Sequence, residues 1–146
     1  MFKTILFPTD FSDVSKAALK YIKQLKEGGA ETVILLHVID QRSISAIDQA
    51  DGVNAPELER EILAGADKEM KEMEKELKET GFKVKTLLQR GFPLREILKV
   101  EEEEDVSMIV IGSHGKSNLE EMFLGSVSEK VARKCKKPVL IVKRQA

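Results

Sequence analysis

Apolar and polar positions follow two rhythms along this chain. KTILFPTD (3–10) is a short apolar run that closes on turn residues. SDVSKAALKYIKQLKEGG (12–29) then sets Val14, Ala17, Ala18, Tyr21, Ile22 and Leu25 at helical spacing, with Ser12 as its N-cap and Gly28 as its stop. TVILLHVI (32–39) has no wet face, as expected of a strand covered on both sides. ELEREILAGADKEMKEMEKELKETG (57–81) lines up Leu58, Ile62, Ala66, Met70, Met73 and Leu77 on one stripe and exits at Gly81. FKVKTLLQ (82–89) begins by alternating, with Lys83 and Lys85 opposite Phe82 and Val84, the pattern of an edge or half-covered strand. PLREILKVEEE (93–103) is a short helix opened by Pro93. VSMIVIG (106–112) is a buried strand, SVSEKVARKCKK (126–137) a helix and PVLIV (138–142) a final strand.

Strands and helices therefore alternate throughout. Such alternation with apolar strands predicts one α/β domain spanning 1–146, a five-stranded parallel sheet wound doubly with helices on both faces. The connection DQRSISAIDQADGVNAP (40–56) reads as an unusually long loop. It leaves the carboxyl end of the second strand, where parallel sheets take ligands, so it is either a lid or partner-contacting loop, or a tolerated insertion.

Composition narrows the function. The chain has 42% apolar and 34% charged residues and a net charge of −1, so bulk charge offers nucleic acid or anionic membrane no attraction, and an anionic ligand must be held locally. No apolar run reaches membrane-spanning length, and Pro8 and Asp10 interrupt the N-terminal segment too early for a signal-peptide core. The lone Cys135 cannot form an internal disulfide, in keeping with a cytoplasmic location.

The chemistry concentrates in GSHGKSNLEEMFLGSVSEKV (112–131). It is not a P-loop: the glycine required five residues before the GK pair is Val110. Nor is it the dinucleotide fingerprint, since Gly112 and Gly115 lack a third glycine at the right offset. The parts of an anion site are nonetheless there. Gly112 ends a buried strand, Gly115 turns the chain, and Gly125-Ser126-Val127-Ser128 opens a helix whose free N–H groups favour phosphate. Ser126 and Ser128 add hydroxyls for phosphate or a metal ion, and Lys116 is the cation inside the loop. Ser117-x-x-Glu120 resembles a capping box.

The spacing G-x2-G-x9-G-S followed by a hydroxyl residue resembles the signature of the universal stress protein family, in its ATP-binding branch. ILFPTDFSDVSKAAL, LLHVID, GFKVK and KPVLIVK resemble the same family, so the likeness covers essentially the whole chain. It implies the strand order 3-2-1-4-5, with PTD (8–10) facing the GSHG loop. It further implies that Asp10 takes the ribose hydroxyls, with Pro8 and Thr9 beside the nucleoside. Val38 would meet the adenine edge through its backbone and Ile111 would line an apolar slot. Gly112, Ser113, His114, Gly115, Lys116, Gly125, Ser126, Val127 and Ser128 would surround ribose and phosphates. ATP is the implied ligand, with Mg²⁺ or Mn²⁺ because a triphosphate is strongly anionic. Adenine over other bases rests on the resemblance alone.

Other readings stand beside these. Asp10 is either a ribose acceptor or a cap for the helix near Ser12. His37, in an apolar strand, reads as structural, and Cys135 as a packed helix residue. His114 is the one candidate base, without a visible partner to orient it. The run EEEED (101–105) reads as a solvated helix end, oddly placed because negative charge there opposes the helix dipole. PVLIV at a sheet edge predicts a homodimer through Pro138 to Val142, which is also how members of the resembled family commonly pair. The functional expectation is a nucleotide-dependent stress-response regulator with an unknown downstream protein. The alternatives are a slow or partner-dependent ATP hydrolase or phosphotransferase, and a nucleotide-free dimeric scaffold.

Overall fold

A computed structural model describes residues 2–52, 54–113 and 125–144. The elements run β1 (Thr4–Pro8), α1 (Asp13–Glu27), β2 (Thr32–Asp40), α2 (Gln41–Gln49), α3 (Ala55–Thr80), β3 (Lys83–Gly91), α4 (Pro93–Glu103), β4 (Met108–Gly112), α5 (Ser126–Lys134) and β5 (Val139–Val142). The five strands form one all-parallel sheet in the order β3-β2-β1-β4-β5. No described helix is long and apolar enough to cross a membrane.

Period-two alternation sorts the strand residues between two cores. Ile5, Phe7, Val33, Leu35, Met108 and Val110 face α1 and α3, meeting Ala18, Ile22, Met70, Met73 and Leu77. Leu6, Ile34, Leu36, Ile109 and Ile111 face α4 and α5, meeting Ile97, Val100 and Val131. Complete burial of Ile5, Leu6, Phe7 and Ile109 explains why these strands read as continuous apolar runs. β1 is central, with β2 on one side and β4 on the other, so the connections after β1 and β4 diverge and leave a crevice at their carboxyl ends.

Four details differ from the sequence reading. Residues 41–49 of the supposed long loop are a helix, N-capped by Asp40, which accepts the Arg42 N–H at 2.9 Å. Its polar composition hides it, because only Ile44 is buried. Second, β3 extends to Gly91, alongside the full length of β2. Third, Cys135 caps the C-terminus of α5 rather than lying inside it. Finally, the acidic run is not wholly solvated. Glu101 is buried and accepts the backbone N–H groups of Lys136 (3.0 and 3.2 Å) and Lys137 (3.1 Å), tying the end of α4 to the turn that leads into β5. Those two donors offset the unfavourable helix-end placement of its charge. Cys135 sits beside this carboxylate; burial, and then the Glu101 charge, raise its thiol pKa.

Candidate functional site

Three of the residue groups singled out from the sequence meet at the carboxyl ends of β1 and β4. Leu6 lies opposite Ile109, so the two strands end near one level. Beyond Pro8 the chain makes a tight turn through Thr9, Asp10 and Phe11 into α1. Ser12 N-caps that helix by accepting the Ser15 N–H at 3.1 Å. Asp10 is therefore not the helix cap. Its Oδ1 instead accepts the Ser12 N–H at 3.0 Å, fixing the carboxylate at the rim, where it is half-buried. Phe11 has φ +64°, a left-handed conformation costing a residue with a Cβ about 1–2 kcal/mol.

Gly112 ends β4 against the first turn of α1. A Cβ there would stand 3.1 Å from Val14 Cγ1 and 3.2 Å from the Ser15 nitrogen. The absent side chain thus admits the helix N-terminus to the crevice wall. Ser113 follows, fully buried, its N–H donating to Val142 O at 2.8 Å. The Ser113 carbonyl accepts two donors from the far side of the glycine stretch, the Gly125 N–H and the Ser128 hydroxyl at 2.8 Å. The start of α5 is thereby pinned to the end of β4. Ser128 is buried and also lies 3.0 Å from Gly125 O, so its proton is committed within the chain.

The N-terminus of α5 opens at the crevice on a residue without a side chain. Ser12, Asp40 and Asn54 cap α1, α2 and α3 with side-chain oxygens, whereas Phe92 and Gly125 give α4 and α5 no side-chain cap; of these two, only α5 starts at the crevice, and α4 opens on Pro93, which has no N–H. The first-turn N–H groups of α5, from Ser126, Val127 and Ser128, stand at the positive end of the helix and receive no side-chain cap from Gly125. Ser126 is exposed there and Val127 half-buried. Across the crevice, Leu36 O accepts the Thr9 N–H at 2.8 Å, so Leu36 directs its backbone toward β1. Two residues on, Val38 directs its own backbone to the same side, level with the turn that follows β1. The Val38 side chain packs toward α4 and α5, and Ile111 is buried on that face.

His37 is structural, as its apolar setting implied. Its Nδ1 lies 2.7 Å from Thr9 O and its ring 4.3 Å from that of Phe11. His114, Gly115, Lys116 and the Ser117–Glu120 box fall outside the described residues. The sequence reading missed Ser15, whose hydroxyl donates to Thr9 Oγ1. The signal was the spacing of Thr9, Ser12 and Ser15, hydroxyls three apart across a turn.

Chemically, the crevice offers the N–H groups of a helix start at one side and a fixed carboxylate at the other, the polarity that suits a ligand with an anionic tail and a hydroxyl-bearing body. Comparison with known proteins agrees in extent. The profile of the universal stress protein family matches residues 1–143. Universal stress protein MJ0577 of Methanocaldococcus jannaschii is 46% identical over 157 residues, covering 99% of this chain and 97% of its own. The solved MJ0577 structure has a TM-score of 0.90 at 48% identity, covering 99% and 98% of the two chains. The fold also recurs in a universal stress protein in complex with cAMP (23% identity, TM-score 0.69, 97% of each chain). It recurs again in one from Archaeoglobus fulgidus in complex with dAMP (20%, 0.67, 98% of each). With strand order, glycine spacing and full-length likeness coinciding, the chain belongs to the universal stress protein family.

Proposed function

We propose that this protein binds ATP in the crevice between the carboxyl ends of β1 and β4 and acts as a nucleotide-dependent regulator. The observation that carries this reading is the α5 N-terminus, opened by a glycine and pinned by Gly125 and Ser128 to the end of β4 at the crevice. Phosphate oxygens would accept the N–H groups of Ser126, Val127 and Ser128, while Gly125 keeps side-chain atoms out of their approach. Asp10 would accept the ribose hydroxyls. The adenine edge would meet the Val38 backbone beside Ile111. That two proteins sharing this fold were solved with cAMP and dAMP supports an adenine nucleotide as the ligand class.

A triphosphate at this site would carry Mg²⁺ or Mn²⁺. Among the described residues no three His, Cys, Asp or Glu side chains group as a metal cage. The ion would be held chiefly by phosphate oxygens and water, with the Ser128 oxygen the candidate protein ligand. When bound, the ion would neutralise phosphate charge.

Two parts of the reading concern assembly. A second copy would pair along β5, which is an edge strand of the sheet among the described residues. A downstream protein would then read the occupied and empty states. The chain has no Trp and one Tyr, so nucleotide retained on purified protein should dominate its 260 nm absorbance. Gly125→Val should abolish that signal while the protein stays folded. Undiminished nucleotide in Gly125→Val would overturn the phosphate assignment.

A further inference from the structure

Five of the six buried polar residues among those described carry hydroxyls at the carboxyl end of the sheet: Thr9, Ser12, Ser15, Ser113 and Ser128. Ser113 and Ser128 close the glycine stretch. The other three form a separate circuit around the turn that bears Asp10. Thr9 Oγ1 donates toward Met73 Sδ at 3.8 Å, which leaves its lone pairs for two donors. It accepts the Phe11 N–H at 3.0 Å and the Ser15 hydroxyl. Ser15 also gives its own N–H to Ser12 Oγ, and the Ser12 N–H goes to Asp10 Oδ1. The circuit thus runs from helix α1 through Thr9 to Phe11, and from Ser12 to the carboxylate.

Phe11 is the strained member, left-handed without being glycine. Something must hold it there, and the hydrogen bond from its N–H to Thr9 Oγ1 does so. Ser15 supplies the second donor to that oxygen and is the only side chain of the circuit standing within α1. Its backbone also abuts Gly112. One serine therefore touches both the turn carrying the carboxylate and the strand end opposite it.

We propose that Ser15 is a positioning residue for Asp10: its hydroxyl orients Thr9, Thr9 holds Phe11 left-handed, and that turn presents the carboxylate to the ribose hydroxyls of the nucleotide. The role rests on the nucleotide reading given above, but it makes a narrower claim. Loss of the Ser15 hydroxyl must act on the ribose hydroxyls and not on the phosphates.

The test is calorimetric binding of ATP and of 2′,3′-dideoxy-ATP, which lacks both ribose hydroxyls, to the full chain with magnesium. The wild type should prefer ATP. Ser15→Ala should weaken ATP about tenfold while leaving the dideoxy nucleotide within about twofold, since one oriented hydrogen-bond network is lost and the phosphate site is intact. Thr9→Val, close to isosteric, should likewise reduce the preference for ATP over the dideoxy nucleotide, and the double variant should show no smaller preference than Thr9→Val alone. Equal weakening of both nucleotides in Ser15→Ala, or an unchanged preference for ATP, would overturn the positioning role. A second readout needs no nucleotide. Amide exchange at Phe11 and Ser12 should quicken about tenfold in Ser15→Ala, with β1 and β4 unaffected. Unchanged exchange at those two amides overturns the role of Ser15 even if the wild type binds neither ligand, a result that would itself refute the nucleotide reading.

Discussion

Gly112→Ala separates two reasons for a glycine at the end of β4. If its only purpose were ligand approach, the nucleotide-free protein would tolerate a methyl group there. The structure says otherwise. The new Cβ would meet Val14 Cγ1 at 3.1 Å, the Ser15 nitrogen at 3.2 Å and the Val14 carbonyl carbon at 3.4 Å. The first neighbour is a side chain that can rotate. The other two are backbone in the first turn of α1, already fixed by the Ser12 cap and by Val14, which is 1% exposed. Relief requires moving the helix end by a few tenths of an ångström, and overpacking of this kind costs about 1–3 kcal/mol. For a chain of this size that lowers the melting temperature by about 2–12 °C, read by calorimetry or circular dichroism on nucleotide-free protein. A variant melting within about 1 °C of the wild type would refute the packing argument and return Gly112 to the ligand alone.

Other predictions follow from single contacts. Glu101→Ala removes a buried acceptor of two N–H groups and should cost about 2–4 kcal/mol in urea unfolding, whereas Glu101→Gln keeps an oxygen and should cost less than half as much. Equal losses would contradict the acceptor role. Asp40 is held below the ordinary carboxylate pKa, first by the side-chain hydrogen bond from Arg42, so its contribution to stability is present above about pH 4 and is lost as pH falls through the lowered native value. Asp40→Asn preserves an N-capping oxygen and should therefore lower the urea midpoint at pH 7 but not near pH 2; an equal drop at both would show that the charge is irrelevant. Leu140→Lys places a charge in the middle of β5 and should convert dimers to monomers in light scattering, while an unchanged mass would place any dimer interface elsewhere.

Much of the fold is legible in the chain because the signals are local. Two-sided strands such as TVILLHVI and ILFP leave no polar face to misplace, and Ser12 and Gly81 mark helix boundaries by their own chemistry. Helix α2 escaped because Gln41–Gln49 buries only Ile44; its helicity depends on Asp40 and on packing against α3, neither of which is a periodic signal. Glu101 escaped for a related reason. In sequence it is one of four consecutive glutamates, and only the turn at 136–137, thirty-five residues later, distinguishes it. At the candidate site, Gly112 and Gly125-Ser126 marked the end of β4 and the start of α5 directly. The hydroxyl circuit could be seen only once α1 stood beside β4, since Thr9, Ser12 and Ser15 read locally as an N-cap and its surroundings. The strand order came from resemblance, because periodicity along a chain carries no information about which strands become neighbours.

The most direct test is a crystal structure of the full chain grown with ATP and magnesium. Phosphate oxygens should lie about 2.7–3.2 Å from the first-turn N–H groups of α5, with the ribose hydroxyls on Asp10 across the crevice. Triphosphate density away from Gly125 to Ser128, or a crevice filled by the protein's own side chains, would contradict the account.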